Sequence, residues 1–338
     1  MRLFSLPAIV VCAASAASAQ VPRIGDINVY GLRKLSAERV LEAANVHPGA
    51  RLPASKGDLE EAIEKVPGVV LARVEGVCCD GPNVALFIGI EERGAPHPSF
   101  RSPPQGAARL PKELLDTYSS FLMAVANAAA HGRATEDLTA GHSRMDDPEA
   151  RAIQPRFLNF AAEHLDQLRD VLRHGPDAGE RAVAAAVIGY APQKANIVDD
   201  LQFALQDPDD SVRANAMRAL TAIAVYSARH PNMGIRIAAT WIVELLNSIV
   251  LNDRVQAAKV LVTLTDTPNP EVLGLIRERG LVPLAEMARW KTLGYALPPF
   301  LILGREVSLP DAEIQQAWEN GGRETVIGKA LEASHPGQ

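Results

Sequence analysis

Cysteine is scarce in this chain of 338 residues, which contains Cys12, Cys78, Cys79 and no others. Because Cys78 and Cys79 are adjacent, they cannot join distant segments, and the fold must depend on packing rather than on a disulfide framework. A strained vicinal disulfide, two free thiols, an intermolecular bridge and two small semi-buried side chains are all compatible with this pair. No spacing of cysteine or histidine matches a metal site, so we predict no metal.

Basic residues are also in deficit, with 34 Lys and Arg against 40 Asp and Glu. A nucleic-acid protein needs a basic face that releases counterions from phosphates, and no run of Lys and Arg with interleaved aromatic residues occurs here. Phosphate-cradling glycine loops, a His-Glu-x-x-His helix and a Gly-x-Ser-x-Gly elbow are absent as well. The sequence therefore predicts a protein that is not an enzyme, with no nucleic-acid partner, no cofactor and no catalytic residues.

Residues 1–19 are typical of a signal peptide. Arg2 supplies the positive start, Leu3 to Ala14 form a short apolar core, and Ala17-Ser18-Ala19 is a small-residue cleavage site. We expect the mature chain to begin at Gln20 and to be periplasmic or secreted. A membrane anchor is the alternative, but this core is shorter than the roughly 20 apolar residues that a span requires.

Two other membrane attachments fit the sequence poorly. Lipid attachment at Cys12 departs from the lipoprotein pattern, because Val11 stands where a small residue is expected. The apolar stretch from Ile237 to Leu251 is interrupted by Glu244, which favours a buried helix. We therefore predict no integral membrane span in the mature chain.

Residues 20–93 change hydrophobic period in the order of a small α+β domain, β-α-α-β-β. Ser36 precedes the first helical pattern, and Ser55-x-x-Asp58 opens the second with a capping box. The predicted strands start near Ile24, run from Val69 to Val77 and run from Val84 to Ile90, the last two separated by the turn Asp80-Gly81-Pro82-Asn83.

This domain resembles the polypeptide-transport-associated (POTRA) repeat of outer-membrane assembly factors. The motifs that carry the resemblance are Ile27-x-Val29-x-Gly31-Leu32, Pro48-Gly49, Gly68-Val69 and Leu86-x-Ile88-x-Ile90-Glu91. The resemblance implies that the second strand lies on the sheet edge, where it can add a partner strand. In that family such domains usually precede a membrane β-barrel, whose strands need roughly 9 to 11 alternating residues. Nothing downstream alternates in this way, so the chain is not itself a pore.

Residues 94–110 are predicted to form a Pro-rich linker with little apolar surface to bury, which favours two independent folding units. Residues 111–338 carry helical patterns without strands, with a helix start at Asp147-Pro148 and a break at Pro155. Within them, Asp177-x-x-x-Arg181-Ala182 reappears as Asp209-x-x-x-Arg213-Ala214 and, more faintly, at Arg254. Such periods are typical of an all-α solenoid.

The middle copy, Leu205 to Leu220, resembles a HEAT repeat nearly letter for letter, and the resemblance extends over Asp177 to Leu331. It implies a multidomain protein in which a HEAT-type solenoid follows the small domain. It also implies a structural role for Arg213 in a ladder between repeats. The region around Trp290 departs from the repeat and is predicted to be the cap that ends the stack.

One loop gathers residue types that carry chemistry, namely Glu136, Asp137, His142, Ser143, Asp146 and Asp147. Metal ligation or a Ser/His pair would use such residues. Helix capping by Asp147 and a solvated loop explain them better, and His142 has no second imidazole at the spacing of metal ligands. His164 and His174, ten residues apart on one predicted helix, point in opposing directions and cannot share a metal.

Two functions fit these patterns. The first is a non-enzymatic scaffold or adaptor that binds protein partners in the bacterial cell envelope, linked by the POTRA resemblance to outer-membrane protein assembly or transport. The second is a HEAT-like enzyme, of the kind that resembles bilin lyases, acting on a small molecule in the concave groove. A tight polar cluster in that groove favours the enzyme, and scattered positions favour the scaffold.

Overall fold

The computed structural model describes residues 22–80 and 83–333. The predicted signal peptide, residues 1–19, and the side chains of Cys78 and Cys79 lie outside what is described. No helix in these two ranges is both long enough and apolar enough to cross a membrane.

The small domain has the predicted element order β-α-α-β-β. Its elements are β1 (Arg23–Tyr30), α1 (Ala37–Ala44), α2 (Lys56–Glu64), β2 (Val69–Asp80) and β3 (Asn83–Glu92). The sheet order is β1-β3-β2, with β1 parallel and β2 antiparallel to β3, so the predicted edge position of β2 is confirmed. Helices α1 and α2 pack on one face of the sheet. The core between them contains Val40 of α1, Ile63 of α2 and Ile88 of β3. Membership of the POTRA family stays a prediction.

The edge of β2 is not free, however. The backbone N–H of Ala72 donates to Glu64 Oε1 at 3.1 Å, and that of Val74 donates to Glu60 Oε1 at 2.8 Å. The carbonyl of Ala72 accepts from Arg73 Nη1 at 3.1 Å. Side chains of this domain therefore already occupy groups that a partner strand would need.

A stack of helices follows, as predicted. The elements are α3 (Lys112–Ala130), β4 (Glu136–Asp137), β5 (Arg144–Met145), α4 (Pro148–Glu163), α5 (Leu165–His174), α6 (Ala178–Ile188), α7 (Val198–Ala204), α8 (Asp210–Arg229), α9 (Thr240–Leu245), α10 (Leu251–Leu264), α11 (Pro270–Leu275), α12 (Leu281–Ala288), α13 (Leu293–Glu306), α14 (Asp311–Glu319) and α15 (Arg323–Ala333). Helices α6, α8, α10 and α13 pack one on the next and form a continuous layer. A π-helical turn, Ile276–Gly280, joins α11 to α12.

Two local expectations were wrong. A short hairpin, β4 and β5, interrupts the region predicted to lack strands. Pro155 lies inside α4 without ending it, and the chain breaks instead at His164, because φ −126° and ψ 28° there leave the helical region. The buried helix expected between Ile237 and Leu251 is present as the six-residue α9, and Ser248 turns the chain after it by accepting the N–H of Val250 through its Oγ.

A ladder of buried arginines joins successive repeats, as the HEAT resemblance implied. Arg181 pairs with Asp207, Arg213 with Asp253 and Arg254 with Glu286, at 2.9, 2.7 and 2.9 Å. Each arginine also donates to the carbonyl six residues before it, which belongs to Gly175, Asp207 or Ser248. The role of Arg213 is confirmed, and its acidic partner, Asp253, belongs to α10.

The small domain docks on the last rung of this ladder. Glu286, which holds Arg254, also accepts from Arg33 Nη1 at 3.0 Å. The ring of Trp290 contacts those of Tyr30 and Phe87, with centroids 5.5 and 5.0 Å apart. Trp290 therefore forms part of an interdomain contact, whereas the sequence predicted an end cap.

The Pro-rich linker lies against the stack. Its Arg101 N–H donates to the carbonyl of Gln206 at 2.9 Å, and its Phe100 ring lies 3.9 Å from the Arg213 guanidinium. Further along, Gln167 Nε2 donates to the carbonyl of Arg109 at 3.0 Å. Residues 94–110 thus form a strap over the ladder, and the expectation of a linker with few contacts was wrong. We refer to this segment below as the strap.

Candidate functional site

A cavity of about 100 Å³ lies where α3, the β4–β5 hairpin and the α6–α8 layer meet. We call it the hairpin pocket. Its walls are mostly apolar and aromatic, with polar groups along one side; they comprise Tyr118, Phe121, Leu122, Val125, His142, Ser143, Phe157, Ala186, Gly189, Tyr190, Asn215, Arg218 and Ala219.

The aromatic wall follows from helical spacing. Tyr118, Phe121 and Val125 recur at positions i, i+3 and i+7 of α3, which places them on one face. Phe157 of α4 meets Phe121 edge to face, with ring centroids 5.3 Å apart and planes at 90°. Such pairs add roughly 0.5–1.5 kcal/mol beyond the area that they bury. These contacts hold the aromatic rings of this wall in place.

The polar side is built by the hairpin. Ser143 Oγ donates to Glu136 Oε2 at 2.5 Å, and Arg218 Nη2 donates to the same oxygen at 2.7 Å. Gln154 Nε2 donates to the carbonyl of Ser143 and to the hydroxyl of Tyr190, each at 2.8 Å. These bonds fix the hairpin loop against α4, α6 and α8.

His142 lies beside this network, and its ring is uncharged at neutral pH. Burial, reinforced by the nearby charge of Lys194, lowers the pKa of His142 to about 4. Its ring lies 5.2 Å from that of Tyr190, and its buried Nδ1 atom has no hydrogen-bond partner among the described residues. Burial also lowers the pKa of Lys194 to about 8, and Lys194 Nζ donates to the carbonyl of Gly189 at 2.7 Å.

The polar cluster is tight, which is the feature expected of the enzyme alternative, but its bonds do not form a nucleophile and base pair. Ser143 Oγ is bonded to Glu136, whose charge Arg218 already neutralises, and no bond joins Ser143 to His142 among the described contacts. A hydroxyl activated for attack needs a free base within hydrogen-bond reach. The arrangement suits recognition of a bound group better than covalent chemistry.

The other residues of the predicted loop have structural partners. Asp137 pairs with Arg144 at 2.7 Å, and Asp146 pairs with Arg151 at 3.1 Å. Asp147 caps α4 by accepting from the N–H groups of Glu149 and Ala150, so the capping explanation is confirmed for this residue.

His164 lies at the break between α4 and α5, and His174 is the last residue of α5, so the single helix predicted to carry both is in fact two. Over residues 22–80 and 83–333, no group of three or more His, Cys, Asp and Glu side chains is placed to hold a metal ion.

His142 and Ser143 were predicted from the sequence as candidate site residues, whereas the residues that complete the pocket were not. Tyr190, Asn215 and Arg218 come from repeats that were interpreted only as structure. The spacing of Tyr118, Phe121 and Val125 on α3 was the available signal, because an aromatic face on an N-terminal helix needs a surface to cover.

Neither a protein-family model nor a curated protein matches this chain. The solved structures that share some similarity with this chain include two designed armadillo repeat proteins. YIII(Dq)4CqI is 16% identical with a TM-score of 0.35, covering 59% of this chain and 98% of its own. YIII(Dq.V1)4CPAF, in complex with the peptide (KR)4, is 17% identical with a TM-score of 0.34, covering 56% and 92%. At TM-scores this low, neither similarity bears on function.

Proposed function

We propose that this protein is an exported, non-enzymatic adaptor of the bacterial cell envelope, and that its hairpin pocket receives one apolar side chain of a partner protein. The observation that carries the proposal is the pocket itself, with a rigid aromatic wall facing a fixed row of polar groups. Interface hot spots have this form, in which one anchor side chain fills a preformed cavity and polar contacts surround it.

The size of the pocket supports a side chain as its occupant. Sites for small molecules usually measure about 300–1,000 Å³, and an apolar cavity of about 150 Å³ holds a benzene molecule. The hairpin pocket, at about 100 Å³, is in the range of a single aliphatic or compact aromatic side chain. A bilin-sized substrate does not fit within it.

The rim of the pocket combines polar side chains with an exposed leucine. Asn215 Nδ2 already donates to the Tyr118 hydroxyl at 3.2 Å, and Arg218 is half-exposed beside the opening. Leu122 on the rim has 49% of its surface exposed, which gives the anchor residue's neighbours an apolar contact. The envelope context rests on the signal peptide and on the POTRA resemblance, which links the adaptor to outer-membrane protein assembly or transport.

An enzyme acting on a small molecule is the second candidate, favoured by the convergence of Ser143, Glu136 and His142. A substitution that fills the cavity without touching these polar groups abolishes partner binding under the adaptor proposal.

The test is site-specific photo-crosslinking in cells. A photoreactive residue replaces Leu122, and Met233, which is 55% exposed and outside the pocket, serves as the comparison position. We expect an adduct of defined mass from position 122, lost when Ala186→Leu fills the cavity. Ala178→Leu, at the start of the same helix, is the matched control and should leave the adduct intact.

Equal adducts with Ala186→Leu and Ala178→Leu contradict the pocket proposal. N-terminal sequencing of the crosslinked chain tests export separately, since a mature start at Gln20 is expected. Retention of Met1 in a membrane fraction contradicts the soluble exported form.

A further inference from the structure

A second cavity, of about 270 Å³, lies between the strap and the α5 and α7 helices. We call it the strap cavity. Arg101, Ser102 and Pro104 of the strap form one side, and Leu172, Arg173, Phe203, Asp207 and Pro208 of the stack form the other. It is separate from the hairpin pocket and shares no lining residue with it.

Two guanidinium groups converge on one ring in this cavity. Arg101 Cζ lies 3.2 Å from the centroid of the Phe203 ring, and Arg173 Cζ lies 4.4 Å from it. Arg101 Nη2 also donates to the carbonyl of Phe203 at 2.9 Å. Stacking and this bond hold the planar group of Arg101 in one orientation.

The charges around the cavity do not balance. Asp207 Oδ1 and Oδ2 accept from Arg181 at 2.9 Å each. Arg173 is paired with Asp200 at 2.7 Å. Arg101, in contrast, has no carboxylate within ion-pair distance among the described residues, and its Nε atom is buried without a hydrogen-bond partner.

An uncompensated guanidinium in a partly buried site is costly, because burial removes solvation that no counter-charge replaces. Burial lowers the pKa of Arg101; Asp207 opposes this, and the neighbouring Arg173 and Arg181 add to it. The guanidinium fork matches the two oxygens of a carboxylate, and Leu172, Pro104 and Pro208 provide apolar walls around it.

We propose that the strap cavity binds an organic carboxylate with an apolar body, its carboxylate on Arg101 and its body against Leu172 and the two prolines. Two sources supply this chemistry: a free carboxylic acid of several carbons, or the C-terminal residue of a partner chain. The bound ligand fastens the strap to the stack, because Arg101 belongs to the first and Leu172 to the second.

The test is isothermal titration calorimetry on the full mature chain with four probes. For the free-acid source they are 3-phenylpropanoate and its neutral match 3-phenylpropanamide. For the chain-end source they are the tripeptide Ala-Ala-Phe as the free acid and as the C-terminal amide. We expect both acids or one of them to bind and the amides not to bind; which acid binds tighter identifies the source.

Variants then assign the binding to Arg101. Arg101→Ala should weaken the acid at least about tenfold, the usual effect of losing a hydrogen bond to a charged group. Arg109→Ala is the matched control, since Arg109 is another strap arginine but already pairs with Glu180 at 3.2 Å and should bind as the wild type does. Arg101→Lys retains the charge but not the guanidinium fork, so its affinity for the acid should lie between those of Arg101→Ala and Arg109→Ala.

Three results overturn the proposal: no acid binds the wild type, acid and amide bind equally, or Arg101→Ala binds the acid unchanged. If Arg101→Ala releases the strap, as rapid proteolysis within residues 94–110 would show, the comparison of Arg101→Lys with Arg109→Ala decides. Equal affinity of those two variants contradicts the carboxylate site. Ala186→Leu, which fills the hairpin pocket, should not change the affinity of the strap cavity for the acid. The calorimetric test is therefore independent of the proposed adaptor function.

Discussion

Replacing Trp290 with alanine should release the small domain from the helical stack without unfolding either. The Trp290 side chain is 3% exposed and lies between the two parts, against the rings of Tyr30 and Phe87. Tyr295 adds a more distant ring contact to Phe87, with centroids 5.8 Å apart, and the Tyr30 hydroxyl donates to the carbonyl of Ile249 at 2.7 Å. Of these stack residues, Trp290 is the one whose ring contacts both aromatic side chains of the small domain.

The magnitude follows from the packing that the substitution removes. A buried Trp→Ala change costs about 3–5 kcal/mol, and the two ring contacts account for about 1–3 kcal/mol of it. The pair formed by Arg33 and Glu286, each about one-fifth exposed, is partly screened and contributes little in comparison. A destabilisation of this size is smaller than the stability of a typical domain, about 5–15 kcal/mol, so the contact between the two parts should weaken while each part stays folded.

Hydrogen exchange with mass spectrometry and calorimetry measure this release. In the wild type we expect one cooperative transition and slow exchange in β1 and β3. In Trp290→Ala we expect a separate, lower transition for residues 22–93 and faster exchange around Tyr30 and Phe87, while the stack keeps its protection.

Trp318→Ala is the matched control, because Trp318 packs on Phe300, 5.2 Å between centroids, at the C-terminal end of the stack. It should lower the stability of α13 and α14 and leave the sheet protected. Unchanged exchange of the sheet in Trp290→Ala, or equal loss of protection in Trp318→Ala, would refute the argument that Trp290 holds the two parts together.

Three further outcomes are expected. Arg213→Ala leaves the buried carboxylate of Asp253 without its arginine, so the free energy of unfolding measured in urea should fall by about 3–5 kcal/mol. A decrease below about 1 kcal/mol would contradict a stabilising role for the ladder. Burial raises the pKa of Glu92, but the hydrogen bonds that it accepts from three backbone N–H groups lower the pKa by more. The net pKa of Glu92 is therefore below its usual value. Its stabilisation is thus present above the unfolded value of about 4.3 and lost as the pH falls, so Glu92→Gln should flatten the acid dependence of the melting temperature. By circular dichroism, Ala72→Pro should stay folded because it removes only the donor to Glu64, whereas Arg73→Pro should unfold the sheet; the reverse order would contradict the strand register.

The sequence predicted those features that local patterns determine. Ser55 and Asp58 form the expected capping contact at 3.1 Å, and Arg213 takes the ladder role that its repeat implies. Residues that act across long sequence separations carried no such signal. Tyr30 contacts a carbonyl 219 positions away, and nothing in its neighbourhood distinguishes it from an ordinary strand residue.

The strap shows why composition alone misled the prediction about the linker. Prolines remove backbone donors, which suggested few bonds, but an extended chain can still attach through side chains. Arg101 and Phe100 supply those attachments by stacking on a ring and a guanidinium of the stack. Neither partner can be identified from sequence, because both lie about one hundred residues further along the chain.

The occupied edge of β2 changes where a partner is expected to bind. Strand addition depends on free N–H and C=O groups, and on this edge the Ala72 and Val74 donors already bond to carboxylates. Charged acceptors bind N–H groups more strongly than neutral carbonyls do, so an incoming strand would exchange stronger bonds for weaker ones. Side-chain anchoring in the hairpin pocket meets no such competition, since Ala186 and Leu122 present apolar surface there. If the proposed partner exists, we therefore expect it to contact the helical stack rather than the sheet edge.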